Sequence, residues 1–430
     1  MQTSISPLRS STRRWARRGL ASVCTIAAAT CARPQHPAAP LTPGEEPELR
    51  IGLAVGASSV TLGGDGELFV TDDENGQPIG SIPAGVAWTV VPDTGGLRLV
   101  PPGGSPTERH AGISAVSVTE NRFAMVSRRR YRGRVNVVRA GSGLTVMNRV
   151  PVESYLAGVL GGEIGIRRAE EAQALVAQAV VSRSFALKNR GRWEALGFDA
   201  WADVRDQVYN GVSGETPEVW SAVRRTTGEV LEYDGEIIEA YFHSTCGGST
   251  AAAEEAFKAA RGRPYLRPIS DASGGGHHYC DLSPRFRWRE EWDGTKLRSI
   301  LSRTRPPGRD HAAGGDGLQR ITDVAVTGTG PSGRVTELRI VWEDGDVRVP
   351  GPDVRAVLRP EPDRLLQSTA FQLFVTRQDG QVTRLVAAGT GSGHGLGLCQ
   401  WGAIGRARAG QDYRKILTTY FPGTRLERLY

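Results

Sequence analysis

The chain has 430 residues, of which 39% are hydrophobic and 23% are charged, and it contains 54 glycines and 25 prolines. This composition is typical of a globular protein rich in turns, and it excludes collagen-like and intrinsically disordered chains. All five charged side chains among the first 30 residues are arginines, so the rest of the chain keeps only +2 of the net charge of +7. A body this close to neutral lacks the phosphate attraction that dominates nucleic-acid affinity, which argues against nucleic acid as a partner.

The first 31 residues have the pattern of an export signal. A basic stretch that ends at Arg18 precedes a run of small and apolar residues, 19–30, which is too short to span a bilayer. Residues 28–31, Ala-Ala-Thr-Cys, resemble a bacterial lipoprotein box with Cys31 as the lipidated residue, and cleavage after the alanines is the alternative. We predict export to the periplasm or cell envelope, with a lipid on Cys31 as the only membrane attachment. A basic tail on a cytosolic protein is the competing hypothesis.

The rest of the sequence divides into a linker and one large folded region. Residues 32–48 are rich in proline and alanine without periodicity, which predicts an extended linker. The folded region is 49–430, with a strand-rich N-terminal part at 49–140 and a core at 141–430.

Asx-Gly pairs between runs of strand-forming residues predict β-hairpins. There are five such pairs: Asp65-Gly66, Asn75-Gly76, Asp234-Gly235, Asp344-Gly345 and Asp379-Gly380. At Asp234-Gly235 the second arm is predicted to run from Glu236 to Phe242 and to end at His243.

Two segments have helical periodicity instead. Within 169–187 the apolar residues recur at the spacing of one helix face, and the same face continues to Arg183. A buried arginine requires a carboxylate or an anionic ligand, unless the helix turns outward there. The last helix has Asp412 as its predicted N-cap. Together these elements predict an α+β fold dominated by strands, with several hairpins and a few helices.

Glu163 is the first candidate site residue. It lies in a glycine-flanked break between two helical stretches, next to apolar residues such as Leu160 and Ile164. A carboxyl in apolar surroundings tends to have a raised pKa, which a general acid needs. From the residues alone, a surface glutamate that caps the next helix is the simpler interpretation.

Histidine and cysteine residues form the second candidate site. His243 and Cys246 follow a predicted strand, and Cys280 lies further along beside two histidines. We place a structural disulfide between Cys246 and Cys280 first; a zinc site formed by His243, Cys246 and Cys280, with Cys399 or a neighbouring histidine, is the alternative. If Cys31 is lipidated or near a free terminus, an odd number of cysteines remains in the mature body.

A glycine-rich segment, 391–403, is the third candidate. Its glycines fit neither a dinucleotide fingerprint nor a phosphate-binding loop. They allow close approach of the backbone, so His394 and Gln400 could face a polar substrate, and a tightly packed turn explains the spacing equally well. The arginine run at 128–134 predicts a solvated strand edge or a site for an anionic polymer.

Taken in order, these segments resemble the SpoIID/LytB family, the stage II sporulation protein D group of bacterial cell-wall proteins. The resemblance covers nearly all of residues 49–430. The matching segments are 131–133, 148–159, Glu163, 174–185, 243–248, 264–266, 393–403 and 416–424.

The resemblance implies a peptidoglycan lytic transglycosylase that cleaves the bond between N-acetylmuramic acid and N-acetylglucosamine in strands stripped of stem peptides. Glu163 matches the catalytic acid/base of the family. One carboxyl would protonate the glycosidic oxygen and then take the proton of the muramic 6-hydroxyl, so neither a second carboxylate nor a cofactor is required. We further predict that five residues bind the sugar chain: Arg183, His243, Ser244, His394 and Gln400.

The sequence also departs from the family pattern. Ile164-Gly165 replaces a Met-Pro pair, and Cys246 and Cys399 stand where many relatives have serine. Some relatives bind zinc through a histidine and cysteines near this region, which keeps a structural zinc, or a zinc-dependent hydrolase, as an alternative. Other relatives are named amidase enhancers, so the alternative function is non-enzymatic enhancement of a cell-wall N-acetylmuramoyl-L-alanine amidase.

Overall fold

Strands outnumber helices in the structure, a computed structural model that describes residues 41–42, 44–257, 262–304, 306 and 320–430. The α+β class predicted from the sequence is confirmed. The predicted export signal, Cys31 and all but the end of the predicted linker lie outside these residues. Within them, no helix is both long and apolar enough to cross a membrane.

The N-terminal third of the described chain is built almost entirely of strands. They are β1 Glu48–Ala57, β2 Val60–Gly64, β3 Leu68–Asp72, β4 Pro78–Ile82, β5 Ala87–Asp93, β6 Gly96–Val100, β7 Gly112–Ser117, β8 Ala124–Val126, β9 Arg129–Tyr131, β10 Arg134–Ala140 and β11 Gly143–Pro151. The later strands are β12 Ala200–Trp201, β13 Glu229–Tyr233, β14 Glu236–Ile237, β15 Phe242–His243, β16 Ala272–Gly274, β17 His277–His278, β18 Arg287–Asp293, β19 Ile321–Thr329, β20 Val335–Trp342, β21 Gly345–Pro350, β22 Phe371–Gln378, β23 Gln381–Thr390, β24 Leu398–Cys399 and β25 Arg425–Arg428.

The described residues also contain eight α-helices. They are α1 Val152–Glu163, α2 Ala172–Lys188, α3 Pro217–Arg225, α4 Ala253–Ala256, α5 Gly294–Thr304, α6 Gly351–Val357, α7 Gln400–Arg408 and α8 Tyr413–Tyr420. The Asp412 side chain caps α8 by accepting a hydrogen bond from the Lys415 N–H at 2.8 Å, as predicted.

Two large sheets hold the N-terminal strands. One has seven strands in the order β12-β1-β11-β10-β7-β3-β4, and the other has five in the order β6-β5-β2-β8-β9. The arginine run supplies β9, at the edge of the five-stranded sheet, so its prediction as a strand edge is confirmed. Because β11 and β12 pair with β1, the seven-stranded sheet takes strands from both sides of residue 140.

Four of the five predicted Asx-Gly hairpins are present. The exception is Asp65-Gly66, which joins β2 and β3, strands of different sheets. Neither residue has the positive φ that a two-residue hairpin turn needs, and the Asp65 carboxylate instead accepts a hydrogen bond from the Phe123 N–H at 2.6 Å.

The predicted second arm of the Asp234-Gly235 hairpin is wrong beyond Ile237. The backbone N–H groups of Ala240 and Tyr241 each bond the carbonyl two residues earlier, so the chain bends there. The following strand, β15, leaves the hairpin and pairs in parallel with β24, which places His243 opposite Cys399.

Helix α2 lies at the centre of the larger hydrophobic core. It contacts α1, α3, α7, α8 and β13, and every residue from Ala174 to Leu187 is buried. The helix is therefore covered on all faces, and not on the single face that its periodicity predicted. A second core lies among β18 to β23, with α5 and α6, around Trp292 and Leu338.

Candidate active site and cysteine cluster

Glu163 is the last residue of α1, and glycines place it there. Gly158, Gly161 and Gly162 face the segment 208–214, which approaches α1 so closely that a Cβ on any of them would lie 2.4–2.6 Å from an atom of that segment. The Asn210 N–H also bonds the Gly158 carbonyl at 2.9 Å. This contact brings the backbone of residue 208 against the Glu163 side chain.

We expect Gly161→Ala to destabilise the protein by about 1–3 kcal/mol, because the new Cβ would lie 2.4 Å from the Gly214 carbonyl oxygen. Neither atom can move away by a side-chain rotation, since the backbone fixes the position of each. Urea unfolding measures this loss. In an open helix the same change stabilises by about 0.5–1 kcal/mol, so any gain in stability would contradict the close packing.

The Glu163 carboxyl is half-buried and carries one hydrogen bond, from the Val208 N–H to Oε1 at 2.6 Å. No described cation pairs with it. Burial raises the pKa of Glu163 above its usual 4.5, and the Val208 N–H offsets only part of that rise. After Glu163, Gly165 has a φ of +74°, which a proline cannot adopt, so the loop differs from one with Met-Pro.

A cavity of about 1270 Å³ opens beside Glu163. Small-molecule pockets usually measure about 300–1,000 Å³, so this volume suits a longer ligand. Its lining comes from the end of α1, the end of α2, the loop 204–208, β15, α4, α6 and His394.

Three further carboxylates line the cavity, and each is already engaged. Asp206 pairs with Arg192 at 3.3 Å, and Glu239 pairs with Arg263 at 3.5 Å. Glu255 accepts hydrogen bonds from the Ala252 N–H and from the N–H and hydroxyl of Ser332. Among the described lining residues, Glu163 is therefore the carboxyl best able to exchange a proton with a ligand.

Four arginines make the cavity suitable for an anion. They are Arg192, Arg205, Arg263 and Arg355. The first three pair with Asp206, Asp203 and Glu239 respectively. Arg355 donates its Nε–H to the Leu366 carbonyl at 2.8 Å and pairs with no described carboxylate, and burial lowers its pKa to about 10. A ligand carboxylate would supply the missing counter-charge.

Aromatic rings cover another part of the cavity. Phe185 lies edge-on to Tyr241 and Phe242, and Phe257 lies 5.2 Å from both Tyr241 and His394, measured between ring centroids. Such rings offer apolar faces to a sugar, while polar groups between them fix its orientation.

Of the predicted sugar-binding residues, the structure places His394 on the cavity. Its Nδ1 accepts a hydrogen bond from the Leu396 N–H at 3.1 Å, and burial together with Arg355 lowers its pKa to about 4. His394 is therefore neutral at physiological pH and acts by shape and hydrogen bonding, and not by charge.

The other four predicted residues do not line this cavity. Arg183 is fully buried and forms a bidentate ion pair with Glu153, with its Nη2 2.6 Å from Oε2, so its partner is a carboxylate of the protein itself. The His243 ring is buried and its Nδ1 lies 3.1 Å from the Leu396 carbonyl oxygen. Its ring centroid lies 5.6 Å from that of His394. Burial therefore removes Arg183 and His243 from contact with a sugar.

Gln400 and Ser244 are also absent from the residues that line the cavity. The Gln400 amide is buried and lies 3.4 Å from that of Gln178 on α2, and the Ser244 hydroxyl lies 3.3 Å from that of Thr245. The glycine-rich segment is thus largely a packed turn, apart from His394.

Sequence reasoning missed Arg355, since it lies in α6 outside any recognisable motif.

Apart from the cavity, the structure brings together three cysteines and an aspartate, which we call the cysteine cluster: Cys246, Cys280, Cys399 and Asp271. All four are buried, and their ligand atoms lie within 4.8 Å of one another. His243, predicted as a zinc ligand, is not one of these four residues; its Nδ1 bonds the Leu396 carbonyl, and its buried Nε2 has no hydrogen-bond partner among the described residues. Cys399, which the sequence offered only as a supplement, is a full member, and Asp271 carried no sequence signal.

The predicted disulfide is not formed in the structure. The Sγ atoms of Cys246 and Cys280 lie 3.4 Å apart, against about 2.05 Å for a covalent bond, and all three cysteines of the cluster are free. Burial raises the pKa of the Cys246 and Cys399 thiols, whereas hydrogen bonds from those two thiols lower the pKa of Cys280. Burial raises the pKa of Asp271 to about 7.

Comparison with protein families finds two matches. The family described as Stage II sporulation protein matches residues 140–233, which contain α1, Glu163 and α2. A domain of unknown function matches residues 269–397, which contain the second core and Arg355.

Comparison with curated proteins finds relatives along most of the chain. An uncharacterized protein of Brachyspira hyodysenteriae is 31% identical over 298 residues, which cover 68% of this chain and 71% of that protein. The stage II sporulation protein D of Bacillus subtilis is 26% identical, with 65% of this chain and 75% of that protein covered. The amidase enhancer of Bacillus subtilis is 26% identical, but the match spans only 38% of its length and 59% of this chain.

Proposed function

Because this chain belongs to the stage II sporulation protein D (SpoIID/LytB) family, we propose that it is a lytic transglycosylase of the bacterial cell wall. Its substrate is the peptidoglycan glycan strand stripped of stem peptides, and Glu163 is the single acid/base. The export signal predicted at residues 1–31 would bring it to that substrate in the periplasm or cell envelope.

The observation that carries this proposal is that Glu163 lines the cavity without a second unengaged carboxylate among the described lining residues. Hydrolysis of a glycosidic bond usually uses two carboxyl groups, one as acid and one as base or nucleophile. The other described carboxylates of the cavity are held by arginines or by three hydrogen bonds. A reaction that needs one carboxyl fits this arrangement better than one that needs two.

The proton passes through Glu163 twice. The protonated carboxyl donates to the oxygen that links C1 of N-acetylmuramic acid to the next sugar, and the C1–O bond breaks. The resulting carboxylate then accepts the proton of the muramic 6-hydroxyl while O6 bonds to C1, which closes the 1,6-anhydro ring. No water is consumed, and Glu163 ends the cycle protonated, as it began.

The arginines supply a reason for a preference for denuded strands. Removal of a stem peptide leaves a free lactyl carboxylate on each muramic residue. Arg355 lines the cavity without a described carboxylate partner, so it can bind that group through a charge-assisted pair.

Product analysis tests the proposal. The purified protein is incubated with denuded glycan strands, and the products are identified by mass spectrometry. We expect 1,6-anhydromuramic ends. Reducing ends would indicate hydrolysis, and the absence of cleavage by a folded protein that binds the strands would refute the enzymatic proposal.

We expect the rate of cleavage to fall as the pH rises through the pKa of Glu163. The reaction starts from the protonated carboxyl, whose fraction decreases above that pKa, and burial raises the pKa, so this falling limb lies above pH 4.5. The dependence of kcat/KM on pH, measured with glycan strands, checks this. A rate that only increases with pH would mean that Glu163 acts as a base from the start.

We expect Arg355→Gln to raise KM for denuded strands about tenfold or more, with a smaller effect on kcat, because a charge-assisted hydrogen bond contributes about 1.5–3 kcal/mol. Strands whose lactyl carboxylates have been converted to amides should bind the wild type and the variant equally. The matched control is Arg359→Gln, since Arg359 lies outside the cavity and bonds only backbone carbonyls among its described contacts. Equal KM values for wild type and Arg355→Gln would contradict the role of Arg355.

One relative favours a second candidate function. The amidase enhancer of Bacillus subtilis matches 59% of this chain, which supports a role in assisting a cell-wall amidase. That alternative predicts binding to cell walls without bond cleavage and stimulation of a separate N-acetylmuramoyl-L-alanine amidase. Anhydro products released by this protein alone would exclude it.

A further inference from the structure

The cysteine cluster lies outside the proposed catalytic machinery, and its composition calls for its own explanation. It gathers three thiols and one carboxyl, all at most 1% exposed, from four separate places in the chain. Cys246 follows β15, Asp271 precedes β16, Cys280 follows β17 and Cys399 precedes α7. We propose that Cys246, Cys280, Cys399 and Asp271 bind one zinc ion as a structural site that fixes the elements behind the cavity.

The spacing of the ligand atoms suits tetrahedral zinc. With Zn–S bonds of about 2.3 Å, two thiolates of a tetrahedral site lie about 3.8 Å apart. The Cys246 Sγ lies 3.4 Å from the Cys280 Sγ and 3.6 Å from the Asp271 Oδ2. These atoms need only small movements to surround an ion, and thiolate ligands select zinc over hard cations.

The neighbours of the cluster hold the ligands in the required orientation. Tyr420 donates its hydroxyl to the Asp271 Oδ1 at 2.7 Å, and Arg406 donates to the same oxygen at 3.1 Å, which leaves Oδ2 directed at the thiols. The Cys399 Sγ accepts the N–H groups of Cys246 and Gly402 at 3.1 and 3.2 Å. Such contacts are the outer-shell partners that orient metal ligands and stabilise thiolates.

Charge gives an independent argument. Arg334 is 1% exposed, donates Nη2 to the Cys246 carbonyl at 2.7 Å, and has no partner for its buried Nε and Nη1 among the described residues. A buried guanidinium without a counter-charge is strongly destabilising. Zinc with three thiolates and one carboxylate carries −2, which the two buried arginines, Arg334 and Arg406, neutralise. With neutral thiols and no metal, Arg334 would keep the attraction of the Glu255 carboxylate, which forms no hydrogen bond with it among the described contacts, and would lose that of the cluster.

The position of the cluster indicates what the metal stabilises. Cys399 and His243 are paired residues of the short parallel strands β24 and β15, and the neighbouring Phe242 lines the cavity. An ion bound to Cys399 and Cys246 would therefore fix the backbone that carries this part of the cavity lining. The role is structural, because all four ligands are protein side chains and no position remains for a substrate.

Metal analysis of the full-length protein tests the proposal. We expect about one zinc per chain after purification under reducing conditions. Replacement of the zinc by cobalt(II) should give the intense visible bands of a tetrahedral site and a thiolate charge-transfer band. In Cys399→Ser that band should lose about one third of its intensity.

His243→Gln is the matched control, because His243 lies beside the cluster but outside its ligand set, and we expect it to retain the metal and the cobalt spectrum. Loss of the metal in this variant would mean that His243 is a ligand, as the sequence-based alternative has it, and would overturn the ligand set proposed here. If Cys399→Ser does not fold, metal binding by the wild-type protein still tests the proposal. A folded, fully reduced wild type that binds neither zinc nor cobalt would overturn the proposal. A Cys246–Cys280 disulfide in protein alkylated at the moment of cell lysis would do the same.

Discussion

Glu163→Gln should reduce the release of anhydro-muramic products from denuded glycan strands by about a thousandfold or more, while the strands still bind. The amide keeps the size of the side chain but cannot deliver a proton, and general acid–base catalysis typically contributes about 10²–10⁴-fold. Because burial already disfavours the charged carboxylate, a neutral amide at this position should leave the fold intact. Product yield and strand binding, measured side by side, separate the two effects.

Glu170→Gln is the matched control for this substitution. Glu170 is an exposed glutamate seven residues further along, with one weak contact to Arg168 at 4.0 Å, so its amide should retain wild-type activity. If Glu163→Gln kept more than a small fraction of the wild-type rate, the acid/base would have to be another group of the cavity. If it lost strand binding as well, the role of Glu163 would be in binding and not in proton transfer.

Glu153→Gln should lower the free energy of unfolding by about 3–5 kcal/mol, the typical cost of removing one partner of a buried ion pair. The substitution keeps the volume of the side chain but leaves Arg183 charged and fully buried without its counter-charge. It also weakens the acceptor of hydrogen bonds from the Gly228 N–H and the Tyr430 hydroxyl. Equilibrium unfolding in urea measures the loss.

The exposed pair of Lys188 and Glu236 provides the comparison, at a similar distance of 3.0 Å. Glu236→Gln should unfold within experimental error of the wild type, because water already solvates both charges. Equal effects of the two substitutions would mean that the Arg183–Glu153 pair contributes no more than a surface pair.

Much of the local structure could be predicted from the sequence, because turn and helix signals act over a few residues. Asp234-Gly235 and Asp379-Gly380 form their turns with both residues at positive φ, as the Asx-Gly pattern requires. Asp412 caps the last helix through its own side chain. The sequence placed Glu163 in a glycine-flanked break between two helical stretches, whereas the structure makes it the last residue of α1, and the reason for those glycines is a contact with residues 208–214.

The partners of buried polar groups could not be predicted, because packing between distant segments selects them. Periodicity placed Arg183 on a buried face, but Glu153, 30 residues away, became its partner only when α1 packed on α2. The same holds for Arg355, which reaches the cavity of Glu163 through α6.

The sequence by itself therefore determined the fold class, the main helices, most hairpins and the one carboxyl that stands out chemically. Only the tertiary structure decided what surrounds that carboxyl and how the cysteines are used. Cys246, Cys280 and Cys399 are separated by up to 153 residues, and Asp271 joins them through a contact with Tyr420 that no local pattern encodes. Turns and helices follow from interactions between near neighbours, whereas a site assembled from four distant segments depends on how the cores pack.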